Sequence, residues 1–109
     1  MDIFDLNSTE EREMMPGLHV KMMHSKNMTL AFWRIEKGAV LPEHDHPHEQ
    51  IATINKGELE LTVDGDVKVL TAVMVATIPG GASHSAVALT DCEMVDAFAP
   101  VREDLKQGN

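Results

Sequence analysis

The sequence predicts an all-β protein, built as a small sandwich or barrel of short strands. Two observations lead to this prediction. From Leu18 onward, short apolar or alternating segments recur at regular spacing, and pairs of turn-forming residues separate them. Hydrophobic residues make up 43% of the 109 residues, which is enough for a single compact core. We therefore expect one barrel domain over residues 18–109, preceded by a lead-in segment over residues 1–17.

The lead-in segment contains one helix signal. Ser8 followed three residues later by Glu11 has the spacing of a capping box, and it predicts a short helix over Thr9–Met15. The dipeptide Pro16-Gly17 would end that helix. No chemical function is assigned to this segment.

Eight segments of the barrel domain have the composition of strands. Each is apolar or alternates between apolar and polar residues, and turn residues such as Gly, Asn, Asp or Pro separate most of them. The segments are Leu18–Ser25, Met28–Glu36, Gln50–Asn55, Glu58–Val63, Asp66–Leu70, Met74–Ile78, Ser83–Leu89 and Cys92–Ala99.

One hairpin is predicted in detail. Asp64-Gly65 separates two alternating segments and has the composition of a type I′ turn. Side chains alternate between the two faces of a strand, so the pattern predicts one inward-facing apolar set. That set is Leu59, Leu61, Val63, Val67 and Val69.

Two of the strands are apolar on both faces. Gln50–Ile54 and Met74–Ile78 offer few outward polar positions, which is typical of strands covered on both sides. A homodimer with a shared sheet would cover the outer face, and we expect one.

The charge of the chain excludes several partners. Its formal net charge is −9, whereas a nucleic-acid binder carries clustered Lys and Arg. No apolar run is long enough to span a membrane, and no secretion signal is visible. The single Cys92 cannot form an intrachain disulfide, which fits a cytoplasmic protein, and its apolar surroundings predict a core position.

Histidines form the most informative cluster. His44, His46 and Gln50 share strand parity, and His84 lies on a later strand with the small Ala86 on the same face. Three imidazoles and one amide oxygen can surround a divalent ion. We therefore expect His44, His46, Gln50 and His84 to be the ligands of one divalent transition metal ion.

The remaining histidines and nearby acids are assigned other positions. Pro47 is expected to bend the backbone and redirect His48, and His19 and His24 are expected at the surface or rim. Three nearby carboxylates are expected to support the ligands or to be solvated rather than to bind the ion. They are Glu43, Asp45 and Glu49.

The two histidine-containing runs resemble the paired motifs of the cupin superfamily. That pattern reads Gly-x5-His-x-His-x3–4-Glu-x6-Gly and Gly-x5-Pro-x-Gly-x2-His-x3-Asn. The resemblance implies a double-stranded β-helix, or jelly roll, over nearly the whole chain after residue 17. The matching positions are Gly38, His44, His46, Gly57, Pro79, Gly81 and His84.

Three departures from the cupin pattern stand out. Gln50 replaces the glutamate ligand, Val73-Met74 replaces a Gly-Asp turn, and Val87 or Ala88 stands near the final Asn. A neutral Gln50 leaves all four ligands uncharged, so the ion would keep a charge of roughly +2 and favour an anionic, chelating substrate. The ligand set suits Ni, Zn, Fe, Mn or Co alike.

A more specific resemblance extends to the C-terminal segment. The run from His44 to Gln50, together with Val95–Asp104, resembles the KdgF family of single-domain cupins. That resemblance implies an enzyme of pectin and alginate breakdown that opens an unsaturated monouronate to its linear keto form. It also implies functional roles for Asp96, Phe98 and Arg102.

Reasoning from the residues supports these roles and leaves alternatives open. Asp96 and Phe98 share a strand face with apolar neighbours, and burial would raise the pKa of the Asp96 carboxyl and suit it to proton transfer. Arg102 can hold a substrate carboxylate in bidentate fashion. The alternatives are that backbone donors satisfy Asp96, that Phe98 is only a core residue, and that Arg102 forms only a surface ion pair with Glu103 or Asp104. A sensor domain that binds a small anion without turnover, and a metal-dependent oxygenase or isomerase acting on another small molecule, remain alternatives.

Overall fold

The computed structural model of the protein describes residues 1–106, which form ten strands and two short 3₁₀ turns, Leu6–Ser8 and Glu103–Leu105. The strands are β1 (Arg12–Met15), β2 (Leu18–His24), β3 (Thr29–Ile35), β4 (Val40–His44), β5 (Glu49–Lys56), β6 (Glu58–Val63), β7 (Asp66–Thr71), β8 (Val75–Ile78), β9 (His84–Ala88) and β10 (Cys92–Ala99).

The strands form two antiparallel sheets that face each other. One sheet has six strands in the order β1-β2-β3-β10-β5-β8, and the other has four in the order β4-β9-β6-β7. Neighbouring strands are mostly distant in sequence, as in a jelly roll. This arrangement confirms the predicted all-β jelly-roll fold.

The core fills the space between the two sheets. On β10, every second residue from Cys92 to Phe98 is buried, and the residues between them are more exposed. On β9, His84, Ala86 and Ala88 are buried in the same alternating way. The predicted core position of Cys92 is confirmed, as is the strand parity that places His84 and Asp96 inside the barrel.

Eight strands were expected, and all eight are present with ends that differ by at most one residue. The sequence did not indicate β4, which contains Pro42 and Glu43, or β1, which is short and contains two charged residues. Both strands form because a neighbouring strand supplies hydrogen bonds: β1 pairs with β2, and β4 pairs with β9.

The predicted helix over Thr9–Met15 is wrong. Ser8 is the last residue of a 3₁₀ turn whose N-cap is Asp5, and the chain then enters strand β1. Pairing with β2 satisfies the backbone hydrogen-bonding groups of β1. A helix as short as the predicted one would be only marginally stable in water. Part of the expected lead-in therefore belongs to the six-stranded sheet.

The predicted hairpin has the expected turn, but its inward-facing residues differ from the predicted ones. Asp64 and Gly65 both have positive φ, as a type I′ turn requires. Val67 and Val69 are nevertheless 53% and 45% exposed, whereas Leu70 is only 8% exposed. A two-residue turn pairs Val63 with Asp66, and Leu59 with Leu70, so the valines of β7 face outward. Their predicted inward orientation is wrong.

The substituted turn before β8 is closed by its own backbone. The Met74 N–H donates to the carbonyl of Thr71 at 2.8 Å, and the Ile54 N–H donates to the carbonyl of Met74 at 3.0 Å.

No helix within residues 1–106 has the length and apolar character needed to span a membrane.

Candidate functional site

Three histidines converge at one end of the barrel. His44 ends β4 and lies directly opposite His84, the first residue of β9, with ring centroids 4.2 Å apart. His46 lies in the connection to β5, and its ring centroid is 4.9 Å from that of His84. One ring nitrogen from each histidine lies within 4.8 Å of the others, which is close enough for all three to bind one ion.

Backbone carbonyls determine which nitrogen each imidazole presents. Nδ1 of His44 donates to the Pro42 carbonyl at 2.8 Å, and Nδ1 of His84 donates to the Ala82 carbonyl at 2.9 Å. Nδ1 of His46 lies 3.1 Å from the carbonyl of His48 in the same arrangement. A carbonyl can only accept, so each Nδ1 carries the proton and each Nε2 keeps its lone pair. The three rings are thus in the tautomer that binds a metal through Nε2.

Buried polar atoms without partners identify where a ligand would bind. Within residues 1–106, five buried side-chain atoms make no hydrogen bond, and all belong to residues around this end of the barrel. Such atoms are rare in folded proteins, and a bound ion or ligand is one common reason for them. They are His46 Nε2, His48 Nδ1, Gln50 Oε1, His84 Nε2 and Asp96 Oδ1.

The donor set fits a divalent ion. Gln50 contributes a buried amide oxygen beside the imidazole nitrogens, and nitrogen and oxygen donors of this kind suit first-row divalent metals. Burial lowers the pKa of His46 and of His84, and the nearby Arg102 lowers both further. Both imidazoles are therefore neutral near pH 7, as metal binding requires.

The ligands come together across two sheets rather than along one strand. His44 ends β4 of the four-stranded sheet, whereas Gln50 lies on β5 of the six-stranded sheet. The chain crosses between them near Pro47, whose carbonyl packs against Gly80 so closely that an added Cβ would lie 2.3 Å away. The Gly81 N–H donates to the His46 carbonyl at 2.7 Å. The glycine turn thus holds the His46 loop in place, which strand parity did not predict.

Asp96 is a buried carboxylate next to this cluster. It is 5% exposed, and the small Ala31 and Ala52 are its partners on the two adjacent strands. Its Oδ2 accepts a hydrogen bond from Trp33 Nε1 at 2.9 Å. Burial raises the pKa of Asp96 to about 6, although hydrogen bonds with Gln50 and Trp33 and the charge of Arg102 oppose the rise.

Phe98 lies next to His46, and Arg102 lies next to Phe98. The Phe98 ring is buried and makes an edge contact with His46, with ring centroids 5.6 Å apart. The Arg102 guanidinium lies 4.7 Å from the centre of the Phe98 ring, and its backbone N–H donates to Thr29 Oγ1. Asp104 accepts hydrogen bonds from Arg102 Nε at 3.0 Å and from Nη2 at 2.8 Å.

Trp33 was missed in the sequence analysis. Trp33 shares strand parity with Ala31 and Ile35, which are buried, and that parity was the available signal. Together with Gln50 and Asp96, Trp33 lines a cavity of about 50 Å³ whose other walls are mainly apolar. Asp104 pairs with Arg102, and this is the ion-pair alternative that the acidic neighbours of Arg102 indicate in the sequence.

The remaining predictions concern residues around the site. Glu43, Asp45 and Glu49 are exposed, in agreement with the sequence analysis. His19 and His24 are half-buried, which fits the expected surface or rim positions. Outside the barrel, His19 lies in an acidic group with Glu13 and Glu36, in which its Nε2 is 2.7 Å from Glu36 Oε2.

Residues 31–98 match the family model described as Cupin domain. The chain belongs to the cupin family. KdgF from Halomonas sp. is 27% identical, with a TM-score of 0.91, and the match covers 97% of this chain and 99% of that protein. An RmlC-like cupin from Shewanella frigidimarina NCIMB 400 is 31% identical, with a TM-score of 0.91 and coverage of 97% and 96%.

More distant structures share the fold alone. A deletion mutant of Bacillus subtilis oxalate decarboxylase OxdC is 21% identical, with a TM-score of 0.81, and the match covers 89% of this chain and 29% of that one. No curated protein matches the sequence of this chain. The cupin family includes enzymes of different chemistries, so the function must be argued from the site.

Proposed function

We propose that this cupin is a metal-dependent enzyme that opens an unsaturated monouronate to its linear keto-deoxyuronate. One observation carries the proposal: unpartnered metal-donor atoms converge beside a buried carboxylate that also contacts one of the donors, Gln50. The likeness to KdgF, which extends over 97% of the chain, supports the same reaction class. Such enzymes act in the breakdown of pectin and alginate.

His44, His46, His84 and Gln50 would hold the metal in this proposal. When bound, a divalent transition ion with four uncharged ligands supplies a Lewis acid that attracts an anionic, chelating substrate. The ligand set does not choose among Ni, Zn, Fe, Mn and Co. Because the chain has a net charge of −9, one cationic pocket would also concentrate anions at this end of the barrel.

Asp96 would transfer the proton. Ring opening removes a proton from the hemiacetal hydroxyl as the bond between the anomeric carbon and the ring oxygen breaks, and the enolate formed takes up one proton on carbon to become the ketone. The net reaction is an isomerisation and needs no other reactant. A carboxyl with a pKa of about 6 can accept the first proton and deliver the second near neutral pH.

Arg102 and Phe98 would bind the substrate. The Arg102 guanidinium pairs with Asp104 through Nε and Nη2, which leaves Nη1 for the substrate carboxylate. Phe98 lies between Arg102 and His46 and would contact the apolar face of the sugar. In this proposal Asp96 transfers the proton, Arg102 binds the charged carboxylate and Phe98 fits the shape of the sugar.

The test is an ultraviolet assay on an unsaturated uronate combined with elemental analysis. The metal-loaded protein should remove the absorbance of the conjugated double bond. Asp96→Asn should abolish that activity and keep the metal content, because Asn keeps the shape of the side chain and cannot transfer the proton. Normal activity of Asp96→Asn would contradict the role of the carboxylate.

The same assay separates the alternatives. A chain that binds the metal and a small acid without any loss of absorbance would be a binding or sensor module. Oxygen consumption with Fe(II) and another small acid would indicate an oxygenase instead. In both cases Asp96→Asn would leave metal binding unchanged and have no uronate turnover to lose.

We also propose that the chain forms a homodimer through the outer face of the six-stranded sheet. Ile51 on β5 and Val75 on β8 are 42% and 58% exposed on this face, which is unusual for β-branched apolar residues in a sheet. Light scattering should give twice the monomer mass, and Val75→Glu should give monomers. A monomeric wild type would contradict this proposal.

A further inference from the structure

Trp33 makes a single specific polar contact inside the barrel. It lies on β3 opposite Met94, one diagonal step from Asp96, whose direct partner on β3 is the small Ala31. The absence of a large side chain at Ala31 lets the indole reach along the inner face of the sheet, as diagonal neighbours can. Trp33 Nε1 donates to Asp96 Oδ2 at 2.9 Å, and Trp33 is the only tryptophan of the chain.

This contact makes the two oxygens of Asp96 unequal. Oδ2 is occupied by the indole N–H, whereas Oδ1 is buried without a hydrogen-bond partner. Ala31 and Ala52 flank the carboxylate and are too small to restrict its rotation. Without the indole donor, Gln50 would be the remaining hydrogen-bond partner named for the carboxylate, and Oδ2 would no longer be occupied by the indole N–H.

We propose that Trp33 is a positioning residue that holds the Asp96 carboxylate so that Oδ1 faces the substrate. This inference rests on the proposed ring-opening function, in which Asp96 transfers the proton. Trp33 itself transfers nothing and donates only to the acid.

An indole is well suited to this task. Its N–H is a donor that neither accepts a hydrogen bond nor changes protonation during the reaction, so its partner oxygen stays occupied throughout. Its ring also packs against both groups of core residues, one around Ile54 and the other around Val20 and Phe98. Packing on both sides keeps the N–H aimed in one direction.

Trp33→Phe is the first test, because Phe keeps an aromatic ring and removes the N–H. We expect bound metal and KM within about twofold of wild type and a fall in kcat of about 10- to 100-fold, as is typical when a residue that supports a functional group is removed. Replacement of Trp33 by β-(3-benzothienyl)alanine, in which sulfur stands in place of the N–H, should give the same fall without a change in ring size. Phe32→Leu, on the outer face of the same strand, is the matched control and should leave kcat unchanged.

The indole resonance supplies a readout that does not depend on turnover. A ¹⁵N-correlated spectrum contains one indole N–H signal, which should lie downfield and exchange slowly with solvent because the carboxylate accepts it. Asp96→Asn should move the signal upfield, since an amide oxygen is a weaker acceptor than a carboxylate.

The outcomes distinguish the two proposals. If the wild type turns over the uronate and both Trp33 replacements keep its kcat, the positioning role is wrong and the proposed function stands. The positioning role is also wrong if kcat falls only because the Trp33 variants bind less metal. If the wild type does not turn over the uronate, the proposed function fails. If the indole signal is unchanged in Asp96→Asn, the hydrogen bond between Trp33 and Asp96 is contradicted as well.

Discussion

Two clusters of candidate metal-binding side chains in this cupin differ in how their histidine nitrogen atoms are satisfied. Inside the barrel, each of the three imidazoles gives its Nδ1 proton to a backbone carbonyl, and within residues 1–106 the buried Nε2 of His46 and of His84 has no hydrogen-bond partner. On the outer surface, His19 has carboxylates around its ring, with Nε2 2.7 Å from Glu36 and 3.6 Å from Glu13.

The difference separates a binding site from a surface cluster. A buried polar atom without a partner costs about 1–3 kcal/mol, so several of them in one place indicate a site that is completed by a ligand. The exposed carboxylates around His19 carry no such free-energy cost, because the imidazole or water can donate hydrogen bonds to them. Both groups contain suitable ligand types, and only the inner group lacks partners.

Removal of single imidazoles should produce the largest difference between the groups. His84→Ala should lower the affinity for a divalent metal by at least about 100-fold, because the inner site loses one of four donors. His19→Ala, the matched control on the outer surface, should leave the affinity unchanged. Calorimetric titration with Zn²⁺ or Ni²⁺ measures both, and equal effects of the two substitutions would contradict the assignment of the inner site.

The buried carboxylate should give the metal-free protein an unusual pH dependence. The pKa of Asp96 rises from 3.8 to about 6 on folding, so its contribution to stability is fully present below pH 3.8 and is lost as the pH rises through about 6. Asp96→Asn should therefore raise the free energy of unfolding above pH 6 by roughly 3 kcal/mol, and by little at pH 4.

Denaturant titrations at pH 4 and pH 7.5 measure this difference. Glu36→Gln is the control from the outer group, and it should change stability by less than about 0.5 kcal/mol at either pH, because Glu36 is exposed. A stability gain of Asp96→Asn that is equal at both pH values would show that removal of charge is not its cause.

A glutamate at position 50 should destabilise the inner cluster. The outer group tolerates several carboxylates side by side in solvent, whereas Gln50→Glu would place a second buried carboxylate against Asp96. We expect the metal-free variant to lose roughly 1–3 kcal/mol of stability. Adding Asp96→Asn should restore most of it, and a double-mutant cycle without coupling would show that the two side chains are independent.

The smallest expected effect concerns the pairing of Arg102. Asp104 occupies Nε and Nη2 of Arg102 and is itself exposed, so Asp104→Asn should free the guanidinium and lower KM for the uronate by about two- to fivefold. Glu103→Gln, which removes the neighbouring carboxylate that pairs with Lys106 instead, is the control. An increase in KM would mean that Asp104 orients Arg102 rather than competing with the substrate.

Local patterns in the sequence were sufficient for most of the fold. Alternating hydrophobicity predicts eight strands, and Asp64-Gly65 predicts its turn, because both depend on neighbouring residues only. The inward side of β7 was predicted wrongly, since it depends on which residues pair across the turn. Residues 12–15 form a strand rather than a helix because the distant backbone of β2 pairs with them.

The candidate site divides in the same way. The residue types and spacing of His44, His46, Gln50 and His84, with the resemblance to cupins, indicate a metal site from the sequence alone. Three features depend on the folded chain. The candidate ligands come from two opposed sheets, and backbone carbonyls select the tautomers of the three imidazoles. Trp33 contacts Asp96 across 63 positions of sequence. Donor chemistry belongs to each residue by itself, whereas distances, burial and missing partners arise only when distant strands pack.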